Sequence, residues 1–235
     1  MIGDIAKDIL YEDNHLLIIN KKPSQIVQGD KTGDVPLVEI IKSFIKKRDN
    51  KPGNVFLGVV HRIDRPVSGA VVFAKTGKAL SRMNQMLKDG EIKKSYWAVV
   101  KNCPVPEKGD LVHYLRKNEE KNKSTAHDKP VRNGQMAELS YEVTGKSDSY
   151  FLVSIRLHTG RHHQIRSQLS KIGCPIKGDL KYGYERPNHD GSIHLHARSV
   201  EFIHPVKKEK VFITADPPND KLWDYFMSLM KDKLQ

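Results

Sequence analysis

Asp64 is a carboxylate set between two guanidiniums, in the run His61-Arg62-Ile63-Asp64-Arg65-Pro66-Val67-Ser68-Gly69. The apolar stretch Ala70-Val71-Val72-Phe73-Ala74 follows at once. A charged loop feeding a buried strand can hold a reactive group at a sheet edge, and flanking arginines attract a carboxylate electrostatically. The same spacing suits a structural salt-bridge turn equally well. A second run is Leu157-His158-Thr159-Gly160-Arg161-His162-His163-Gln164-Ile165-Arg166. There a strand ends, a glycine turns the chain and a polar helix begins, which presents backbone N–H groups and side chains to a cleft. His158, His162 and His163 invite a metal reading, but no carboxylate or cysteine stands at ligand spacing, and His194 and His196 alternate on one face of a strand. No metal is therefore expected. The chain has neither a glycine-rich phosphate loop nor a Gly-x-Ser-x-Gly elbow, which counts against nucleotide-dependent and serine-hydrolase chemistry.

Elements to position these runs are legible in the hydrophobic periodicity. Ile9–Tyr11 and Leu16–Asn20 read as strands around the turn Glu12-Asp13-Asn14. Leu37, Ile40, Ile41, Phe44 and Ile45 predict a helix over Pro36–Lys47. Leu80, Met83 and Leu87 predict another, with Gly90 as its cap. Ser95–Lys101, Met136–Val143 and Tyr150–Leu157 read as strands. A helix marked by Ile165, Leu169 and Ile172 should close at Gly173. Ile193–Ala197, Val200–His204 and Val211–Ala215 read as three more strands, before a final helix carrying Leu222, Trp223, Phe226 and Met230. Strands outnumber helices without alternating with them, so the expected class is α+β, with a mixed, largely antiparallel sheet flanked by helices. Arg116–Arg132 holds six basic and three acidic residues with little apolar content. It reads as an exposed loop or hairpin arm, mobile in the free protein.

The bulk numbers set the partner class. At 235 residues the chain supports one sizeable core or two small domains. Forty Lys and Arg against 28 Asp and Glu leave a net charge of +12, which favours polyanions through counterion release. No apolar run approaches a membrane span, and the start MIGDIAKDIL lacks the layout of a signal peptide. Two distant cysteines, Cys103 and Cys174, form no disulfide framework, and a reducing cytoplasm is the expected location.

With both runs and the charge in view, the chain resembles the RluA-type RNA pseudouridine synthases. The family's central motif, His-Arg-Leu-Asp-Arg-x-Thr-Ser-Gly, corresponds to His61–Gly69, and its late motif, Thr-Gly-Arg-Thr-His-Gln-Ile-Arg, to Thr159–Arg166. Ile19-Asn20-Lys21-Lys22-Pro23-Ser24, Lys94-Ser95-Tyr96-Trp97-Ala98-Val99-Val100, Gly178-Asp179, Tyr182-Gly183, Leu195-His196-Ala197 and His204-Pro205 also match, in order along the chain. Ile63, Val67 and His162 depart from the pattern, and His162 receives no role.

The resemblance implies a pseudouridine synthase catalytic fold and isomerisation of uridine in ribosomal or transfer RNA. The N1–C1′ bond is cut, the uracil turns, and C5 rejoins the sugar. Asp64 would act at the anomeric carbon by stabilising an oxocarbenium-like species, attacking covalently or removing a sugar proton. Arg166 would pair with that aspartate. Tyr96 would stack on the flipped base, and Ile165 would floor the pocket. Arg62 would fill the gap left by the extruded base. His61, Arg65 and Arg161 are further substrate-binding candidates, and Lys117, Lys121 and Lys123 are candidates for the RNA backbone. No cofactor is implied, since the reaction is redox-neutral. The expected organisation is a single catalytic domain over 1–235 without a separate N-terminal RNA-binding domain, acting as a monomer away from membranes. The alternatives are a catalytically silent RNA-binding module of the same fold and a hydrolytic glycosidase. The latter would need a second carboxylate, for which Asp179 offers no clear role.

Overall fold

In a computed structural model the described residues, 5–29 and 33–232, form eleven strands and five α-helices. The first four residues of the stretch read against a signal peptide lie outside the described residues. In chain order the elements begin with α1 (Ile5–Asp8), β1 (Ile9–Glu12), β2 (Leu16–Lys21), α2 (Leu37–Arg48), β3 (Gly58–Val59), β4 (Ser68–Ala74) and α3 (Gly77–Lys88). There follow β5 (Lys93–Val100), β6 (Lys108–Asn118), β7 (Lys123–His127), β8 (Gln135–Lys146), β9 (Phe151–Leu157) and α4 (Gln164–Lys171). A 3-10 turn at Leu180–Tyr182 precedes β10 (Leu195–Ile203), β11 (Lys210–Thr214) and α5 (Lys221–Asp232). The chain divides into two units, one of Met1–Ile92 with Ala197–Asp216, the other of Lys93–His196 with Pro217–Gln235.

In the first unit the strand order is β1-β2-β4-β10-β11, with β3 also on β4. β1–β2, β2–β4, β3–β4 and β10–β11 are antiparallel. All seven residues of β4 are buried, as the apolar run after Asp64 requires of a central strand. Its second residue, Gly69, has φ +117°, and a Cβ there would meet the backbone oxygen of Ala197 at 2.3 Å. Only glycine permits that approach. The helix α3 is capped by Thr76, whose hydroxyl accepts from the Ala79 N–H at 3.2 Å, and it ends before Gly90 at φ +72°. Its Ala79 and Met83 pack on Leu16, Ile18, Val72, Val200 and Phe202.

In the second unit the order is β5-β9-β8-β6-β7, antiparallel throughout. On one face, Trp97, Val99 and Leu152 pack against Trp223 and Phe226 of α5. On α4, Gln164, Ile165, Arg166, Ser167, Gln168 and Leu169 are all buried, so the helix is covered all round, polar residues included. Two of its amide groups donate to backbone oxygens: Gln164 Nε2 to Glu138 O at 3.0 Å, and Gln168 Nε2 to Leu111 O at 3.0 Å.

The α+β class and the antiparallel-dominated strands agree with expectation. One local reading is corrected. Ile193–Ala197 and Val200–His204 are not separate strands: Leu195–Ile203 is continuous. Arg198 and Ser199, which look like a break, stay in the ladder, because Ser199 pairs with Thr214 and Arg198 O accepts from the Ala215 N–H at 2.8 Å. Of the two forms expected for Arg116–Arg132, loop or hairpin arm, the structure forms the hairpin: the end of β6 pairs with β7, with Lys117 opposite Ser124. Its inward anchor is Ala126, which buries against Ala137 together with Leu115, the residue just before the stretch.

Candidate functional site

The Asp64 loop is held from below by a buried cation. Lys21, at the end of β2, is fully buried, and its ammonium donates to the carbonyl oxygens of Lys22 (2.9 Å), Gln25 (2.9 Å) and Arg65 (3.2 Å). Three donors thus meet three acceptors. Burial pushes the Lys21 ammonium down to about 7, the charge of Asp64 opposes this, and Arg65 reinforces it. The Ser24 N–H also donates to Arg65 O at 2.9 Å, and the Val67 N–H closes a turn onto Asp64 O at 3.0 Å. Asp64 itself is half-buried. Its neighbours divide by role. Ile63 is buried; His61 Nε2 accepts from the Val72 N–H of β4 at 3.3 Å; Arg65 pairs with Asp34 at 2.7 Å. Arg62 is exposed, and its guanidinium has no partner among the described residues.

In the second unit the late motif builds a clamp around Arg166. Its Nε donates to Asp179 Oδ2 at 2.7 Å and its Nη2 to Asp179 Oδ1 at 2.8 Å, a bidentate pair with both side chains almost wholly buried. Its Nη1 lies 3.1 Å from His163 Nε2. A guanidinium can only donate, so His163 Nε2 accepts, and the ring proton sits on Nδ1, 3.0 Å from Tyr182 Oη. Burial, then the charge of Arg166, pushes His163 far below the usual histidine range, in keeping with a neutral ring. His163 is also in the left-handed region at φ +52°, directly before α4, so backbone strain is concentrated where the clamp is assembled.

The hairpin joins this cluster. The Ser124 N–H donates to Tyr182 Oη at 2.9 Å, and the Lys123 ammonium lies 5.0 Å from the centre of the Tyr182 ring, as does the Arg166 guanidinium. His162 stacks on His163 at 3.8 Å and spans to the hairpin through Ser124 Oγ (2.9 Å) and Asn122 Oδ1 (3.0 Å). The residue left without a role by the motif therefore ties the hairpin tip to the start of α4.

The remaining candidates are spread out. Tyr96 is buried on β5 opposite Ile155, and Ile165 is buried on α4. Arg161 is exposed, and its Nε donates to Met136 O at 3.0 Å. Lys117 pairs with Glu119 at 2.6 Å, and Lys121 is exposed at the hairpin tip. Asp179, His163, Tyr182 and Lys21 are the site residues that sequence reasoning left without a function. Gly178-Asp179 and Tyr182-Gly183 matched the family pattern, but nothing in their spacing tells which cation Asp179 holds.

Comparison with known proteins places the chain. A family profile described as RNA pseudouridylate synthase matches residues 15–171. Ribosomal large subunit pseudouridine synthase C of Buchnera aphidicola subsp. Acyrthosiphon pisum is 35% identical over 222 residues, covering 90% of this chain and 68% of its own length. The uncharacterized RNA pseudouridine synthase YjbO of Bacillus subtilis is 32% identical over 216 residues, covering 92% of this chain and 74% of its own. The solved structure of Human RNA Pseudouridylate Synthase Domain Containing 4 shares the fold, with a TM-score of 0.78 at 22% identity over 98% of this chain and 95% of that one. The chain belongs to the RNA pseudouridylate synthase family, of RluA type, and is an isomerase.

Proposed function

We propose that this protein converts uridine to pseudouridine in ribosomal RNA in the cytoplasm, working as a monomer and as one catalytic domain. Transfer RNA is the second substrate class. The ribosomal target follows the name of the Buchnera relative, which aligns with 90% of this chain. In this reaction the N1–C1′ bond breaks, the uracil rotates in place, and a C5–C1′ bond forms; C5 gives up a proton and N1 gains one. Asp64 acts at the anomeric carbon. Arg166 supplies a fixed positive charge for that carboxylate, Tyr96 stacks on the extruded uracil, and Ile165 lines its pocket. Arg62 occupies the space the base leaves, while His61, Arg65 and Arg161 serve the substrate strand. Lys117, Lys121 and Lys123 meet RNA phosphates.

The observation that carries this reading is the Arg166 clamp. A buried guanidinium locked on two sides by Asp179 and His163 is preorganised charge, which is what stabilising charge in a water-poor site requires. The test is conversion of uridine in ribosomal RNA transcripts by the wild type and by Asp64→Asn. Wild-type protein should produce pseudouridine at discrete positions with no loss of base. Asp64→Asn should bind RNA comparably and form no product. Turnover above a few per cent of wild type in the variant removes Asp64 from the reaction, and abasic product would favour a hydrolase.

A further inference from the structure

Lys94 is a cation that the fold leaves unanswered. It lies two residues before Tyr96 on β5 and pairs across the ladder with Leu157, the last residue of β9. Side chains alternate along a strand, so Lys94 and Tyr96 share a face, opposite the one on which Trp97 and Val99 pack against α5. On that shared face Tyr96, Ile155, Leu139 and Tyr141 are buried in an apolar row, and Lys94 stands at its end. The Lys94 ammonium lies against the Thr159-Gly160-Arg161 turn, 3.5 Å from where a Cβ on Gly160 would be. Gly160 is exposed, so the ammonium sits at a rim that a ligand can reach.

Among the described residues, Lys94 has neither a hydrogen bond nor an ion pair, and no carboxylate acts on it. Burial alone pushes its ammonium below the usual lysine range. The contrast with Lys21 is direct, since that buried lysine places each of its donors on a carbonyl. A partly dehydrated ammonium without an acceptor weakens the folded state, and such violations concentrate where function requires them.

We propose that Lys94 binds a phosphate of the substrate RNA strand next to the nucleotide taken by Tyr96. A phosphate oxygen supplies the missing acceptor and counter-charge together, and Gly160 leaves the approach open. This rests on the RNA synthase reading.

The test measures RNA affinity against salt, single-turnover rate at saturating RNA, and melting temperature for wild type, Lys94→Met and Lys94→Arg. Methionine keeps the apolar stem and deletes the charge. The expected result for Lys94→Met is an unchanged or higher melting temperature, affinity at low salt lower by about 10-fold, and a log-affinity versus log-salt slope reduced by about 0.7–0.9. Lys94→Arg should recover most of the slope. An unchanged slope in Lys94→Met overturns the proposal, including the case where only the rate falls, which would place Lys94 on an uncharged oxygen of the base. Loss of the folded state in Lys94→Met makes the lysine structural and also overturns it. Wild-type turnover on the same RNA is read separately: binding without conversion removes the synthase reading, while the slopes still decide Lys94.

Discussion

Arg166, which we propose serves the reaction, is positioned by the side chains packed around its guanidinium. Two of its donors are fixed by Asp179 and a third by a histidine that must be neutral to accept. Replacing the fork by an ammonium cannot reproduce this geometry. Arg166→Lys is therefore expected to lower single-turnover rates by about 100-fold or more, the scale seen when a preorganised charge is removed. Asp179→Asn should instead act mainly on stability, by about 3–5 kcal/mol, because it leaves a buried guanidinium with an incomplete counter-charge. Calorimetry and rate measurements on the two variants separate these effects, and a normal rate in Arg166→Lys would make that arginine structural. At this scale the late motif is legible in the order of residues from Thr159 to Arg166. The role of Asp179 is not, because its partner lies 13 positions away in the chain and a carboxylate's cation is chosen by packing.

At the scale of elements, the β6–β7 hairpin is where the structure chose between the two forms expected, loop and hairpin arm. A count of charges finds little in Arg116–Arg132 to bury, but strand alternation needs only every second residue to face inward, and on β7 Ser124 and Ala126 do so. The hairpin lysines also differ from one another. Lys117 and Lys121 are exposed at the tip, whereas Lys123 lies over the Tyr182 ring that also carries Arg166. Lys117→Gln with Lys121→Gln should weaken binding to every RNA about equally and lower the salt slope by about 2, without changing single-turnover rate. Adding Lys123→Gln should slow the reaction as well. Filter binding across salt concentrations checks the first statement and rapid-quench kinetics the second. An affinity and slope equal to wild type would make the hairpin tip a connector.

For the molecule as a whole, acid sensitivity follows from its buried imidazoles. His113, His163, His194 and His204 are all buried, and in each case burial is the main cause holding the pKa below the ordinary histidine value. Unfolded histidines take up protons near pH ~6.5, whereas these sites stay neutral to lower pH. The stability they contribute is therefore complete above that pH and is lost as the pH falls toward the folded values. Melting temperature should fall between pH 7 and pH 5, with each site contributing up to about 1.4 kcal/mol per pH unit. His204 offers the cleanest check, because its Nδ1 accepts from the N–H groups of Val206 (3.1 Å) and Lys207 (2.9 Å) and so cannot be protonated without losing both bonds. His204→Asn keeps an acceptor in that place and should flatten the profile by one site's share. A melting temperature independent of pH over this range would contradict the whole group.

The sequence alone determined the α+β class, most element positions, the basic character and the family resemblance of the two charged runs. Each of these is written in local spacing: alternation, helical recurrence, a glycine after a charged loop. Tertiary structure alone decided that Asp179 clamps Arg166, that His163 is a neutral acceptor in a left-handed conformation, and that His162 bridges to the hairpin. It also decided that Gly69 must be glycine, for lack of room beside Ala197. It separated two similar lysines, Lys21 satisfied by three carbonyls and Lys94 by none among the described residues. Hydrogen-bond partners and burial depend on which distant segments the packed chain brings together, and no local pattern of residue types encodes that choice.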